Sequence, residues 1–131
     1  MPFKYQVSVC NQIGFKFFLF LSLALVTWQA LSPVQEGQPA IINDKVAHLL
    51  VFFVLSFIAD HAYSLSRFTF TKAASLLSYG LFIEIMQLFV PTRHFSWLDL
   101  LADAAGILLF FVIYRFLIER IPTEPQTTNN S

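Results

Sequence analysis

Four long apolar stretches, at residues 15–31, 46–65, 73–90 and 98–118, leave this chain few ways to fold. A helix crossing the hydrocarbon core of a bilayer needs about 20 apolar residues, and each stretch is close to that length. In lipid the backbone must satisfy its own hydrogen bonds, and continuous apolar runs do so as helices. Only 12% of the 131 residues are charged while 56% are hydrophobic, and an average soluble domain carries about 25% charged residues. A soluble fold of this size buries only about two-thirds of what its unfolded chain exposes, too little to hide such a surface. The sequence therefore reads as an all-α polytopic membrane protein, with four transmembrane helices in one antiparallel bundle over residues 1–121. Pro33, Gly37 and Pro39 break the first connection, Ser66, Arg67, Thr69 and Thr71 the second, and Pro91 the third. The polar segment 122–131 reads as a disordered cytoplasmic tail.

The first stretch resembles the apolar region of a signal peptide, but Trp28-Gln29-Ala30-Leu31 offers no small-x-small cleavage site, so it is read as an uncleaved span. Lys4 and Lys16 precede it, Arg67 and Lys72 join the second and third spans, and Arg115 and Arg120 end the fourth. Only Lys45 and Arg93 lie on the other side. Positive residues collect in the cytoplasm, so both termini are expected there, in a bacterial cytoplasmic (inner) membrane, with the loops near 32–45 and 91–97 outside. Net charge is zero and the basic residues are dispersed, which argues against nucleic acid. Cys10 is the sole cysteine, so there is neither an internal disulfide nor metal-ligand spacing of cysteines. No phosphate loop, Gly-x-Ser-x-Gly or His-Glu-x-x-His pattern is present.

Charged side chains at bilayer depth cost about 3 kcal/mol or more each and mark interior or wet positions. Four acids fall within these stretches: Asp60, Glu84, Asp99 and Asp103. Asp60 sits about one turn from the cytoplasmic end of its span, where it is expected to reach water and take no part in the site. The others converge on the outer end. Asn43-Asp44-Lys45-Val46-Ala47-His48 opens the second span, Glu84 and Gln87 close the third before Pro91 and Arg93, and Asp99 and Asp103 open the fourth. At about 1.5 Å per residue, Glu84 and Asp103 lie at matching depths, roughly 7–9 Å inside their helix ends. Spacings of three or four residues place Glu84 with Gln87, and Asp99 with Asp103, on shared faces. Ala102, Ala105 and Gly106 add small side chains that let another helix approach. Asp44, Glu84, Asp99 and Asp103 against Lys45 and Arg93 leave four negative and two positive charges, a formal −2. A bound cation or a protonated carboxyl would relieve it.

The pattern Asp44-Lys45-x-x-His48-x-x-x-Phe52, Glu84-x-x-Gln87-x-x-x-Pro91-x-Arg93 and Asp99-x-x-x-Asp103-x-x-Gly106 resembles the VanZ-like family of small bacterial membrane proteins. That family often carries Asn where this chain has Asp103. Its founding member is associated with resistance to the glycopeptide teicoplanin, so the resemblance implies a role at the cell envelope, in antibiotic resistance or envelope homeostasis.

Simpler roles stand beside the functional ones. Asp44 can cap the second span, and Ser96-Trp97-Leu98-Asp99 reads as a capping box opening the fourth. Lys45 and Arg93 can anchor at the interface, neutralise carboxylates or bind phosphate. Trp28, Phe95 and Trp97 suit an interfacial aromatic belt. Lys45, His48, Gln87 and Arg93 are the partners expected for Glu84, in a structural network or a functional one. Three functions stay open. The favoured one is binding of an envelope component, a lipid-linked precursor or phospholipid headgroup, by Asp44, Lys45, His48, Glu84, Gln87, Arg93, Asp99 and Asp103. The second is an intramembrane lipid-phosphate-modifying enzyme using carboxylate and His groups as bases or metal ligands. The third is a small ion-coupled transporter, which would require two copies. Membrane lipids are the expected partners, a homo-oligomer is open, and no motif names a cofactor or metal.

Overall fold

The computed structural model describes residues 9–35, 37, 43–63 and 70–119. Lys4, Pro39, Arg67, Arg120 and the tail 122–131 lie outside the described residues. The described residues form four helices and no strand: α1 (Val9–Leu31), α2 (Asp44–Ala62), α3 (Phe70–Gln87) and α4 (Trp97–Glu119). Cys10–Leu31, Asp44–Ala62 and Trp97–Leu117 are long and apolar enough to cross a membrane. Helix α3 is not among them, because Thr71, Lys72, Ser75, Ser78, Glu84 and Gln87 dilute its apolar residues. Most of these groups are satisfied internally. The hydroxyls of Ser75 and Ser78 donate to the carbonyls of Thr71 and Ala74 at 2.8 and 2.7 Å, and Lys72, Glu84 and Gln87 bond to groups outside α3.

Helix α2 is central and packs on the other three, most extensively on α4. Successive contacts advance together along both: Lys45 meets Asp99, His48 meets Asp103, Leu49 meets Gly106 and Phe53 meets Phe110. The two helices therefore run in the same direction. Gly106 permits this packing, because a Cβ there would strike the carbonyl oxygen of Leu49. Ala105, expected beside it, is exposed instead. Phe52, Leu55, Ile58, Ala59 and Ala62 of α2 fill the core with Leu19, Leu76, Ile107 and Phe110. Outside this core the surface is apolar: Phe17, Phe20, Trp28, Leu101, Leu108 and Leu117 are all more than half exposed. An exposed apolar surface this extensive belongs in lipid. The chain is a multi-pass membrane protein.

The end opposite the expected site is also ordered. Lys72 Nζ donates to Asp60 Oδ1 at 3.1 Å and to the Tyr63 carbonyl at 2.8 Å, and Lys16 Nζ stands 5.0 Å from the Tyr63 ring centroid. Asp60 does not reach water as expected. It is buried, because Lys72 from the first turn of α3 folds back over the end of α2 and pairs with it.

Candidate functional site

Pro91 has no N–H to continue a helix, and α3 ends at Gln87 rather than at 90. Leu88, Phe89 and Val90 donate to the carbonyls three residues back, each at 3.1 Å, in a tightened last turn. The chain then straightens and Ser96 caps α4, its Oγ accepting the N–H of Asp99 at 3.3 Å. In a full capping box the Asp99 carboxylate would accept the N–H of Ser96 in return. Here that N–H goes to Glu84 Oε2, at 2.9 Å. The box is split between two helices, and the Asp99 carboxylate turns to α2 instead. None of the four partners expected for Glu84 bonds to it directly. At the start of α2, Asn43 is the cap, accepting the Lys45 N–H at 3.0 Å. Asp44 was expected in that role but is the first helical residue, so its carboxylate is not used by the cap.

The in-register packing of α2 on α4 makes a two-step polar ladder. Lys45 Nζ lies 3.9 Å from Asp99 Oδ1, His48 Nε2 lies 3.9 Å from Asp99 Oδ2, and His48 Nδ1 lies 2.8 Å from Asp103 Oδ1. Against an ionised Asp103, Nδ1 carries the hydrogen, which leaves Nε2 as the outward-facing nitrogen. Asp103 and Glu84 are fully buried and Asp99 is 6% exposed. In each of these carboxylates one oxygen lacks a hydrogen-bond donor: Glu84 Oε1, Asp99 Oδ1 and Asp103 Oδ2. Buried polar groups are normally bonded, so three such oxygens together mark this end of the fold. Asp103 Oδ2 lies over Gly80, where a Cβ would come within 2.5 Å of it.

Arg93 and Gln87 were expected to serve the carboxylates. They hold the end of α1 instead. Arg93 Nε donates to the Ser32 carbonyl at 3.0 Å and one terminal nitrogen donates to the Gln29 carbonyl at 3.2 Å. Gln87 Nε2 donates to the Ala30 carbonyl at 3.2 Å. These carbonyls lie in and just past the last turn of α1, where intrahelical donors run out, and a cation is favoured where the helix dipole is negative. Thr92 Oγ1 adds a bond from the Val34 N–H at 3.0 Å. Above the ladder a cleft of about 280 Å3 opens between the start of α2 and the α3–α4 loop. One wall carries Asp44, Lys45 and Asp99, and the other Gln87, Thr92, Arg93, His94 and Ser96. Phe95 of that loop and Trp97, the first residue of α4, pack edge to face at 4.8 Å.

The VanZ/LLP1 family profile matches residues 1–118. This chain belongs to the VanZ/LLP1 family. It is also 33% identical over 110 residues to an uncharacterized protein of Schizosaccharomyces pombe, a stretch covering 79% of this chain and 68% of that one. No solved structure matches.

The eight residues singled out from the sequence divide into two groups in this family member. Asp44, Lys45, His48, Asp99 and Asp103 gather along the α2–α4 seam. Gln87 and Arg93 serve α1, and Glu84 links α3 to α4. Sequence reasoning passed over His94 and Gly80. It also passed over Tyr79, whose hydroxyl donates to the Leu23 carbonyl at 2.9 Å and pairs with Thr27 Oγ1 at 2.8 Å. A tyrosine facing the same way as the buried Leu76 and Ile83 was the available signal for that cross-helix bond.

Proposed function

We propose that this chain is a four-span antiparallel bundle in a bacterial inner membrane, with both termini cytoplasmic, whose outer cleft binds the phosphate of a phospholipid headgroup. The observation that carries the reading is the cleft itself. Lys45, Arg93 and His94 line one opening of about 280 Å3, with the Thr92 hydroxyl beside them. Guanidinium and ammonium groups are the usual partners of phosphate oxygens. Trp28 and Trp97, each 69% exposed, suit the depth at which headgroups lie. A relative in a yeast favours a headgroup that bacterial and yeast membranes share over a lipid-linked cell-wall precursor. A contribution to teicoplanin resistance or envelope homeostasis would act through such binding.

Native mass spectrometry of the detergent-purified chain tests this. Phosphatidylglycerol should be retained and a diacylglycerol with the same acyl chains released. Lys45→Gln and His94→Gln should each weaken retention. Equal retention of the two lipids, or indifference to both substitutions, would sink the reading. Arg93 is a poor test position because its loss also frees α1.

One observation favours a second reading, a lipid-phosphate-modifying enzyme. His48 held by Asp103 at 2.8 Å is the arrangement of a base and its orienting carboxylate. Failure to release inorganic phosphate from phosphatidic acid vesicles would remove that substrate. The ion-coupled transporter draws less support, since no described helix is interrupted where a midplane site would be built.

A further inference from the structure

We propose that Asp44, His48 and Asp99 form a binding site for a divalent transition-metal ion at the floor of the outer cleft. The inference does not depend on the headgroup reading. One donor atom from each residue, two carboxylate oxygens and an imidazole nitrogen, lies within 4.8 Å of the others. An acidic cluster alone would mean little, but two independent observations point to a cation here. Asp99 is 94% buried, since its exposure is 6%, and its Oδ1 has no hydrogen-bond donor although the residue lines the cleft. Among the described residues, the cation beside that oxygen is the Lys45 ammonium, at 3.9 Å and on a side chain that is 49% exposed. That distance is beyond a hydrogen bond.

The second observation is the orientation of His48. Metal-bound histidines almost always donate their other ring N–H to a carboxylate or carbonyl, which fixes the tautomer and aims the free nitrogen at the ion. Asp103 does this for His48, accepting from Nδ1 at 2.8 Å while Nε2 faces Asp99. Asp103 is fully buried, so the imidazole is anchored from below rather than held loosely at the surface.

Ligands bound at about 2.1 Å stand at most about 4.2 Å apart across one ion, so the three donors must close up slightly. His48 and Asp99 are held by the helix seam, and Asp44 is the arm able to move, being exposed in the first turn of α2. An imidazole ligand favours zinc and its neighbours over magnesium or calcium. Three protein ligands leave a coordination position open toward the cleft, as in zinc sites that take water or substrate.

The test is titration of the untagged, detergent-purified full chain, stripped with chelator, with zinc chloride by isothermal calorimetry. Manganese and magnesium chlorides serve as comparison arms. One zinc per chain is expected, with affinity in the order zinc, manganese, magnesium. Asp44→Asn, at an exposed position, should fold normally and weaken zinc at least tenfold. Asp103→Asn should weaken it about 10–100-fold through His48 alone. Lys45→Gln should tighten zinc by removing a competing positive charge, whereas under the headgroup reading it weakens lipid retention. The two proposals can therefore fail separately. Absence of a saturable site, or a zinc affinity unchanged in Asp44→Asn, would overturn the metal site.

Discussion

Glu84 on α3 accepts the backbone N–H of Ser96, the residue that caps α4, at 2.9 Å. The bond ties the end of one helix to the start of the next across the Pro91 turn, and it frees the Asp99 carboxylate to face Lys45 and His48. The role calls for an acceptor, not for a charge. Glu84→Gln should therefore keep the bond through its amide oxygen, and its NH2 replaces the unpartnered Oε1. Glu84→Ala instead leaves a half-buried N–H unsatisfied, at a cost of about 1 kcal/mol or more. Thermal unfolding in detergent should place the Gln variant at or above the parent and the Ala variant clearly below it. The reverse order would mean that the ionised carboxylate itself stabilises the fold.

Three glycines on three helices should respond differently to one added methyl. At Gly106 the new Cβ strikes the Leu49 carbonyl and comes within 3.1 Å of the Phe53 amide nitrogen. Backbone cannot step aside, so Gly106→Ala should destabilise by about 2–3 kcal/mol or prevent α2–α4 packing. At Gly80 the obstacles are side-chain ends, Asp103 Oδ2 at 2.5 Å and Phe52 Cζ at 3.1 Å. Gly80→Ala should cost less and act instead by pushing Asp103 off His48. At Gly14 nothing lies within 4 Å, and Gly14→Ala should be neutral or stabilising by at most about 1 kcal/mol. Thermal melts of the three variants, read beside the imidazole proton resonance of His48, separate a packing effect from a site effect.

How much of this could be read from the sequence depended on whether a partner was local. The helices were legible because bilayer thickness and the Pro and Gly breaks leave little choice of length, although α3 carries too many polar groups to meet the same apolar measure. The shared face of Asp99 and Asp103 was legible through helical spacing, and Asp44, Lys45 and His48 were legible only as polar groups entering the second span at the same membrane face. The targets of Arg93 and Gln87 were not legible, since backbone carbonyls at a helix end have no sequence signature. Nor was the split capping box. The Ser96-x-x-Asp99 spacing marks where α4 begins, but any carboxylate nearby can accept the Ser96 N–H, and only the folded turn brings Glu84 closest.

Arg93 supplies two of the three bonds that reach the last carbonyls of α1 from the α3–α4 segment, and Gln87 supplies the third. Arg93→Ala should loosen the end of α1 while leaving the α2–α4 seam intact, because α1 makes no substantial packing with α4. Hydrogen–deuterium exchange should rise across 27–32 and stay unchanged in α2 and α4. Arg93→Lys keeps the charge but cannot reach two carbonyls with one planar fork, so it should give an intermediate rise. Uniform protection across α1 in Arg93→Ala would show that its packing on α2 and its contacts with α3 hold that helix without Arg93.

At the opposite end, Asp60 and Lys72 form a pair whose side chains are 12% and 10% exposed. Taking two charges out of water is costly, and their attraction repays it only while both are present. Asp60→Asn takes the charge partner from an ammonium that also donates to the Tyr63 carbonyl at 2.8 Å. Lys72→Met strands a carboxylate. Each single change should cost about 3 kcal/mol. The double change, Asp60→Leu with Lys72→Met, removes both desolvation terms and fills the same space with apolar groups that suit a membrane helix. It should recover most of the loss and can exceed the parent in melting temperature. The two sites are also separable by function, since this pair lies at the far end of α2 from His48. The double variant should therefore leave zinc binding and phosphatidylglycerol retention at parental levels. A double variant as unstable as the worse single one would show that the pair fixes the α2–α3 connection itself, beyond balancing two charges.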